Sequence, residues 1–161
     1  MDGLWLLVFP RVLHVLGVVL WIGGVALVAS VVLPVLRRWD DPELAYRQFQ
    51  FIVQRFAWQA RVTTLVVGLS GFHMLGVMQA WDRYLQASYW WVWLMTFVWL
   101  IFTVMLFFVQ PLRRRSPEEL PVPKDPQSAL AGAHRMHWIL LSLSLLAVAG
   151  AVAGAHGWFW I

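Results

Sequence analysis

The sequence contains no cysteine and little charge: Asp, Glu, Lys and Arg together make up 12% of its 161 residues. The first absence excludes disulfides, thiolate metal sites and cysteine nucleophiles. The second, set against 61% apolar residues and a positive mean hydropathy, excludes an ordinary soluble domain of this length. The alternating ten-residue pattern of a membrane β-barrel is also missing. So are repeats of fixed period and any soluble catalytic domain.

What is present is four long stretches without a single Asp, Glu, Lys or Arg, at 12–36, 62–81, 84–112 and 136–161. Each reaches the roughly 20 residues that cross a hydrocarbon core about 30 Å thick. Without water in that core, backbone amides must be satisfied inside each segment, which selects helices. The sequence therefore predicts an all-α polytopic membrane protein, a four-transmembrane-helix bundle forming one membrane domain over 1–161. Helices are expected near 10–36, 62–81, 89–110 and 134–160, with connections at 37–61 and 111–133. The first run reads as a span and not as a cleaved signal peptide. It lacks a basic lead-in, runs too long and ends in Leu-Pro-Val-Leu.

The net charge of +4 carries no message of nucleic-acid binding; its distribution is the informative part. Nine of the twelve basic residues fall in the two connections and a tenth, Arg135, at the entry of the fourth helix, leaving only Arg11 and Arg83 on the other side. The positive-inside rule then places both connections in the cytoplasm and both termini outside, in a multi-pass protein of the cell (cytoplasmic or inner) membrane. Trp5, Phe9, Trp158 and Trp160 suit the outer interface, where aromatic rings are favoured.

Within this frame, Pro34 is expected to kink or end the first helix. Asp41-Pro42-Glu43 resembles a helix start. Phe49, Ile52, Phe56 and Ala60 share one face beyond it, predicting an amphipathic helix that lies in, or rises from, the interface. The third run, with Trp90, Trp91, Trp93, Phe97, Trp99 and Phe102, reads as a lipid- or partner-facing wall. Prolines at 111, 117, 121, 123 and 126 predict an irregular second connection.

Five histidines carry the candidate chemistry, because an ionisable group inside a span is a functional hypothesis by default. His14, His73 and His156 fall toward the outer side, and His134 and His137 at the cytoplasmic entry of the fourth helix. His14 shares a helix face with Gly17, Trp21 and Gly24. Neutral imidazole is a good axial ligand for haem iron and for copper. Two histidines on adjacent helices, with glycines giving a flat porphyrin room, would form a haem b site. His14 and His73 are the first pair for the iron, and His156 is a third candidate. Arg11 and Arg83 are candidate partners for the propionates. The copper alternative uses His14 and His73 with Met74 or Met78, since thioethers suit Cu(I). His134 and His137 are weaker candidates for a second site. The bland alternative is that each histidine bonds a backbone carbonyl or a lipid headgroup.

The stretches HVLGVVLWIGGVALVASVVLPVL and QRFAWQARVTTLVVGLSG resemble the first two helices of CopD-like copper-resistance membrane proteins. They also resemble those of the related HemJ-type protoporphyrinogen oxidases. The likeness covers about half of the chain and fades in the third helix. It implies a small helical bundle that binds haem b, or a membrane protein linked to copper handling, with His14 the position carried over. HemJ-type proteins place a lysine in the third helix; residues 89–110 contain none, which counts against porphyrinogen oxidation. The expectation is thus a haem b protein transferring electrons within the membrane, alone, as a homo-oligomer, or beside a larger redox complex. Copper binding or transport, and a cofactor-free accessory subunit, are the alternatives.

Overall fold

The computed structural model describes residues 2–110 and 121–158. The arginines at 113–115, the prolines at 111 and 117 and Trp160 lie outside the described residues. Helices account for nearly all of that chain, and no strand occurs among the described residues. Four helical runs are long and apolar enough to cross a membrane: Trp5–Leu36, Pro42–Val77, Ala87–Val109 and Pro126–Ala155. They are called here the first to fourth spans, and they make the protein an all-α multi-pass membrane bundle.

The first span is built from α1 (Asp2–Leu27), a π-helical segment Val28–Val32 and α2 (Leu33–Leu36). It starts about two turns before Pro10, which is an interior residue of the helix. Pro34 neither ends the helix nor stands alone as a kink. The backbone widens into the π segment just ahead of it, and the helix continues to Leu36.

The second span is α3 (Pro42–Val77), a single helix of 36 residues. Asp41 caps it by accepting from the N–H groups of Glu43 and Leu44, with Pro42 in the first turn. The amphipathic segment expected to lie in, or rise from, the interface is the first half of this span, continuous with the second half. Its apolar face is used for packing: Phe49 and Ala60 are buried, with Ile52 and Phe56 against the same clusters.

The third span begins with two 3-10 turns, Trp81–Leu85 and Ala87–Tyr89, followed by α4 (Trp90–Val104) and a second π segment, Met105–Val109. It is only half a wall. Trp93, Phe97, Leu100 and Phe108 are exposed, whereas Trp91, Val92, Val98 and Leu106 are buried. The fourth span, α5 (Pro126–Ala155), is capped by Asp125 and starts some eight residues earlier than the sequence predicts.

Packing follows from small residues on facing helices. α1 lies along α3, and α4 along α5. A Cβ on Gly154 would sit inside the Trp91 ring, so that glycine lets α4 and α5 approach. A central cluster joins Trp21, Val25, Ala29, Val67, Val98 and Leu141. A second, of Val28, Leu33, Leu36, Ala45, Phe49 and Leu130, closes the arginine-rich end. Ser70, Ser144, Thr96 and Thr103 return their hydroxyls to carbonyls four residues back, the usual solution for such groups in apolar helices.

Candidate functional site

At the arginine-poor end the helices part around a cavity of about 650 Å³. Its walls are mainly apolar, drawn from all four spans, and it lies within the range of about 300–1,000 Å³ typical of cofactor and ligand sites. Trp81–Leu85 folds over this end. Trp81 stacks on Phe72 and Tyr84, and the Tyr84 hydroxyl meets Thr96 Oγ1 at 2.8 Å. The turn leading into it passes through Gln79 at a φ of 50°, a left-handed conformation uncommon outside glycine.

His14 is the one histidine that lines this cavity. Its Nδ1 lies 3.0 Å from Val67 O and 3.1 Å from Ser70 Oγ. Ser70 uses its own hydrogen on Val66 O, so both of its neighbours present acceptors to the ring. Nδ1 therefore carries the proton, and Nε2 is left with a bare lone pair and no hydrogen-bond partner among the described residues. A carbonyl-anchored Nδ1–H is the arrangement that orients a ligating imidazole and sets which nitrogen binds metal. Gly71 makes room for the ring: a Cβ there would stand 3.1 Å from His14 Cε1.

Around His14 the cavity gathers soft and cationic groups. Met74, Met78 and Met95 contribute thioethers, while Arg11 and Arg83 supply the cations. The Arg83 guanidinium lies 5.0 Å from the Tyr89 ring centroid. Neither arginine is ion-paired among the described residues. Trp21 also lines the cavity, and its buried Nε1–H has no partner among the described residues.

The other expected ligands lie elsewhere. His73 is exposed, its Nε2 donates to Leu6 O of α1 at 3.2 Å, and it does not line the cavity. His156, also exposed, folds Nδ1 back to Val152 O and sits in a shallow groove on the outer face of α5. His137 donates Nδ1–H to Ala133 O and packs edge-on to Phe49. Among the described residues, no three His, Cys, Asp or Glu side chains gather where they could hold a metal ion.

Met95, Tyr84, Tyr89 and Trp99 are site residues that the sequence reading passed over. The signal for Met95 and Trp99 was present as the stripe Trp91, Met95, Val98 and Trp99 at three- and four-residue spacing in the third run.

The arginine-rich end has a different architecture. Leu33 N–H bonds Val28 O and Gln110 N–H bonds Met105 O, each reaching back five residues instead of four. That register passes over the carbonyls of Ala29 and Leu106. The next residues, Pro34 and Pro111, have no N–H to offer them. A side chain from another span fills each gap: His134 Nε2 lies 2.9 Å from Ala29 O, and Arg61 Nε donates to Leu106 O at 2.9 Å. Arg61 also donates to Gln110 Oε1, and Arg37 Nη1 donates to His134 Nδ1 at 2.9 Å. The sequence predicted the arginines as cytoplasmic markers, not as partners of freed carbonyls.

Comparison with family models, with curated proteins and with solved structures finds no match. The functional reading therefore rests on the geometry of the site.

Proposed function

We propose that the protein is a membrane haem b protein whose cofactor occupies the His14 cavity. The observation that carries this reading is the bare Nε2 of His14 in a cavity that otherwise offers apolar walls, thioethers and two cations. A porphyrin brings four nitrogens of its own and needs only one or two protein donors, which suits a cavity with one imidazole. His14 would hold the iron through Nε2, with Met74, Met78 and Met95 the soft side chains also lining the cavity. Arg11 and Arg83 would hold the propionates at the mouth, where planar guanidinium groups match carboxylates. Bound there, haem b supplies reversible one-electron chemistry. The protein's part is to orient the imidazole through Val67 and Ser70 and to limit water with Trp21, Trp91 and Trp99.

The resemblance of the first two helices to CopD- and HemJ-type proteins agrees with this reading. Relative to the sequence expectation, His73 and His156 are dropped as iron ligands. A role in a larger redox complex is consistent with a small cofactor-bearing bundle and belongs to the same proposal.

Copper is the second reading, favoured by three thioethers beside one free imidazole nitrogen. The two are separated by one preparation. Detergent-purified protein from haem-replete cells is expected to show a Soret band and sharpened α and β bands after dithionite. A colourless, iron-free preparation with stoichiometric copper would replace haem by copper. Neither metal, with unchanged folding after haem addition, would leave the accessory-subunit reading in its place.

A further inference from the structure

We propose that Arg55 on α3 and Arg135 on α5 anchor two seats for anionic phospholipids at the arginine-rich end. Each arginine opens the same four-residue pattern, Arg-Phe-Ala-Trp at 55–58 and Arg-Met-His-Trp at 135–138. Residues three apart are neighbours on a helix surface, so each guanidinium stands beside an indole. All four side chains are exposed, Trp58 at 70% and Trp138 at 45%. Both helices run away from the arginine-rich end, so in each pattern the arginine is on the aqueous side of its tryptophan.

Depth sets both patterns at a membrane surface. About 20 helical residues cross the hydrocarbon core. Counted from the far end of each helix, such a length reaches from Val77 back to Trp58 on α3, and from Ala155 back to Met136 on α5. The arginines stand just beyond it, at the height of headgroups. The tryptophans stand at its edge, where indole rings are favoured. Packing against α1 agrees: a Cβ on Gly24 would meet the Phe56 ring, and His134 reaches Ala29 O. Those two levels differ by about 8 Å along the helix.

What these arginines lack is a counter-ion. Neither has a hydrogen bond or an ion pair among the described residues. Asp41 and Asp125 are committed as helix caps, and Glu43 is paired with Arg47. Arg37 and Arg61, by contrast, are bonded inside the bundle. A guanidinium at headgroup height matches a phosphate, which accepts two parallel N–H bonds. A headgroup of net negative charge gains over a zwitterionic one, whose ammonium group opposes the arginine. The α3 seat is the more complete. The indole N–H of Trp58 has no partner among the described residues and is available to a lipid carbonyl, whereas that of Trp138 is directed at His134 Nε2.

Native mass spectrometry tests the assignment. The full-length protein is equilibrated in detergent with equal amounts of phosphatidylglycerol and phosphatidylcholine of matched chains, and the retained lipids are counted. Wild type should retain two phosphatidylglycerol molecules ahead of phosphatidylcholine, with a preference of about five-fold per seat. Arg55→Gln and Arg135→Gln should each remove one, and the double variant should hold the two lipids equally. Arg38→Gln removes the same charge from an exposed side chain at the end of the first span and should leave the preference in place. Equal retention by wild type, a preference that survives the double variant, or an equal loss in Arg38→Gln overturns the proposal. If the double variant does not fold, wild type decides alone: raising the ammonium acetate concentration should weaken its preference, because exposed charges are screened. A preference unmoved by salt overturns the proposal equally.

Discussion

His14 and His134 are both half-buried imidazoles on membrane spans, and each anchors to a carbonyl of a neighbouring span. Their second nitrogens differ. That of His14 is unpartnered, in a ring that lines a cavity with thioethers and two unpaired arginines. That of His134 is taken by Arg37, in a region where Leu33 and Leu130 are fully buried. The same side chain therefore keeps one nitrogen unpartnered at one end of the bundle and is used as a structural joint at the other. The free lone pair, more than the presence of a histidine in a span, is what distinguishes a candidate ligand from a satisfied one.

The comparison is sharpened most by truncating apolar side chains at the two ends. Leu33→Ala should lower stability by about 2–5 kcal/mol, because the packed end cannot collapse around the void. Leu75→Ala, at the wall of an existing cavity, should cost about 1 kcal/mol. Unfolding midpoints in one detergent measure both. Equal losses would mean that the two ends are packed alike.

Next in size are the histidines themselves. His134→Ala strands the Ala29 carbonyl and removes the acceptor of Arg37, and should cost about 1–3 kcal/mol. His14→Ala should cost about 1 kcal/mol or less, since Val67 O keeps its helical position and the ring closes no packed layer. The same unfolding assay checks the order, and a larger loss for His14 would make it a structural residue.

Smaller effects come from the caps. Asp41→Ala and Asp125→Ala each remove an N-cap at the arginine-rich end and should cost about 0.5–2 kcal/mol, leaving haem affinity unchanged. A parallel loss of affinity in a haem titration would show that the two ends are coupled. The smallest effect is expected for exposed His73: His73→Ala should change stability by less than about 0.5 kcal/mol and leave the haem spectrum as it is.

Much of the fold was legible because charge-free runs and arginine placement are consequences of the bilayer, which acts on each segment separately. The four spans and the Phe49, Ile52, Phe56 and Ala60 face follow from that. Helix ends were less legible. Counting from charges stopped the second span at Arg61, whereas α3 runs on from Pro42, and Arg61 is accommodated by bonding Leu106 O. The π segments were hidden for a related reason. A proline announces a disturbed helix, but whether it kinks, ends or widens depends on which donor another span brings to the freed carbonyl.

The candidate site was legible in part. His14, Arg11, Arg83, Met74 and Met78 all line the cavity as their side of the membrane suggested. His73 does not line the cavity and meets Leu6 O instead, because residue count along a helix does not fix the direction in which α3 turns a side chain toward α1. Met95, Tyr84 and Trp99 were hidden in a run so rich in aromatic residues that its inward stripe did not stand out.

The central claim is that His14 alone among the histidines holds a cofactor in the cavity. The most direct test is a haem titration of cofactor-free protein, comparing wild type with His14→Ala and His73→Ala by optical spectrum. The account predicts stoichiometric binding with a ligated Soret band in wild type and His73→Ala, and loss of that band in His14→Ala. A His14→Ala protein that binds haem with an unaltered spectrum would contradict it.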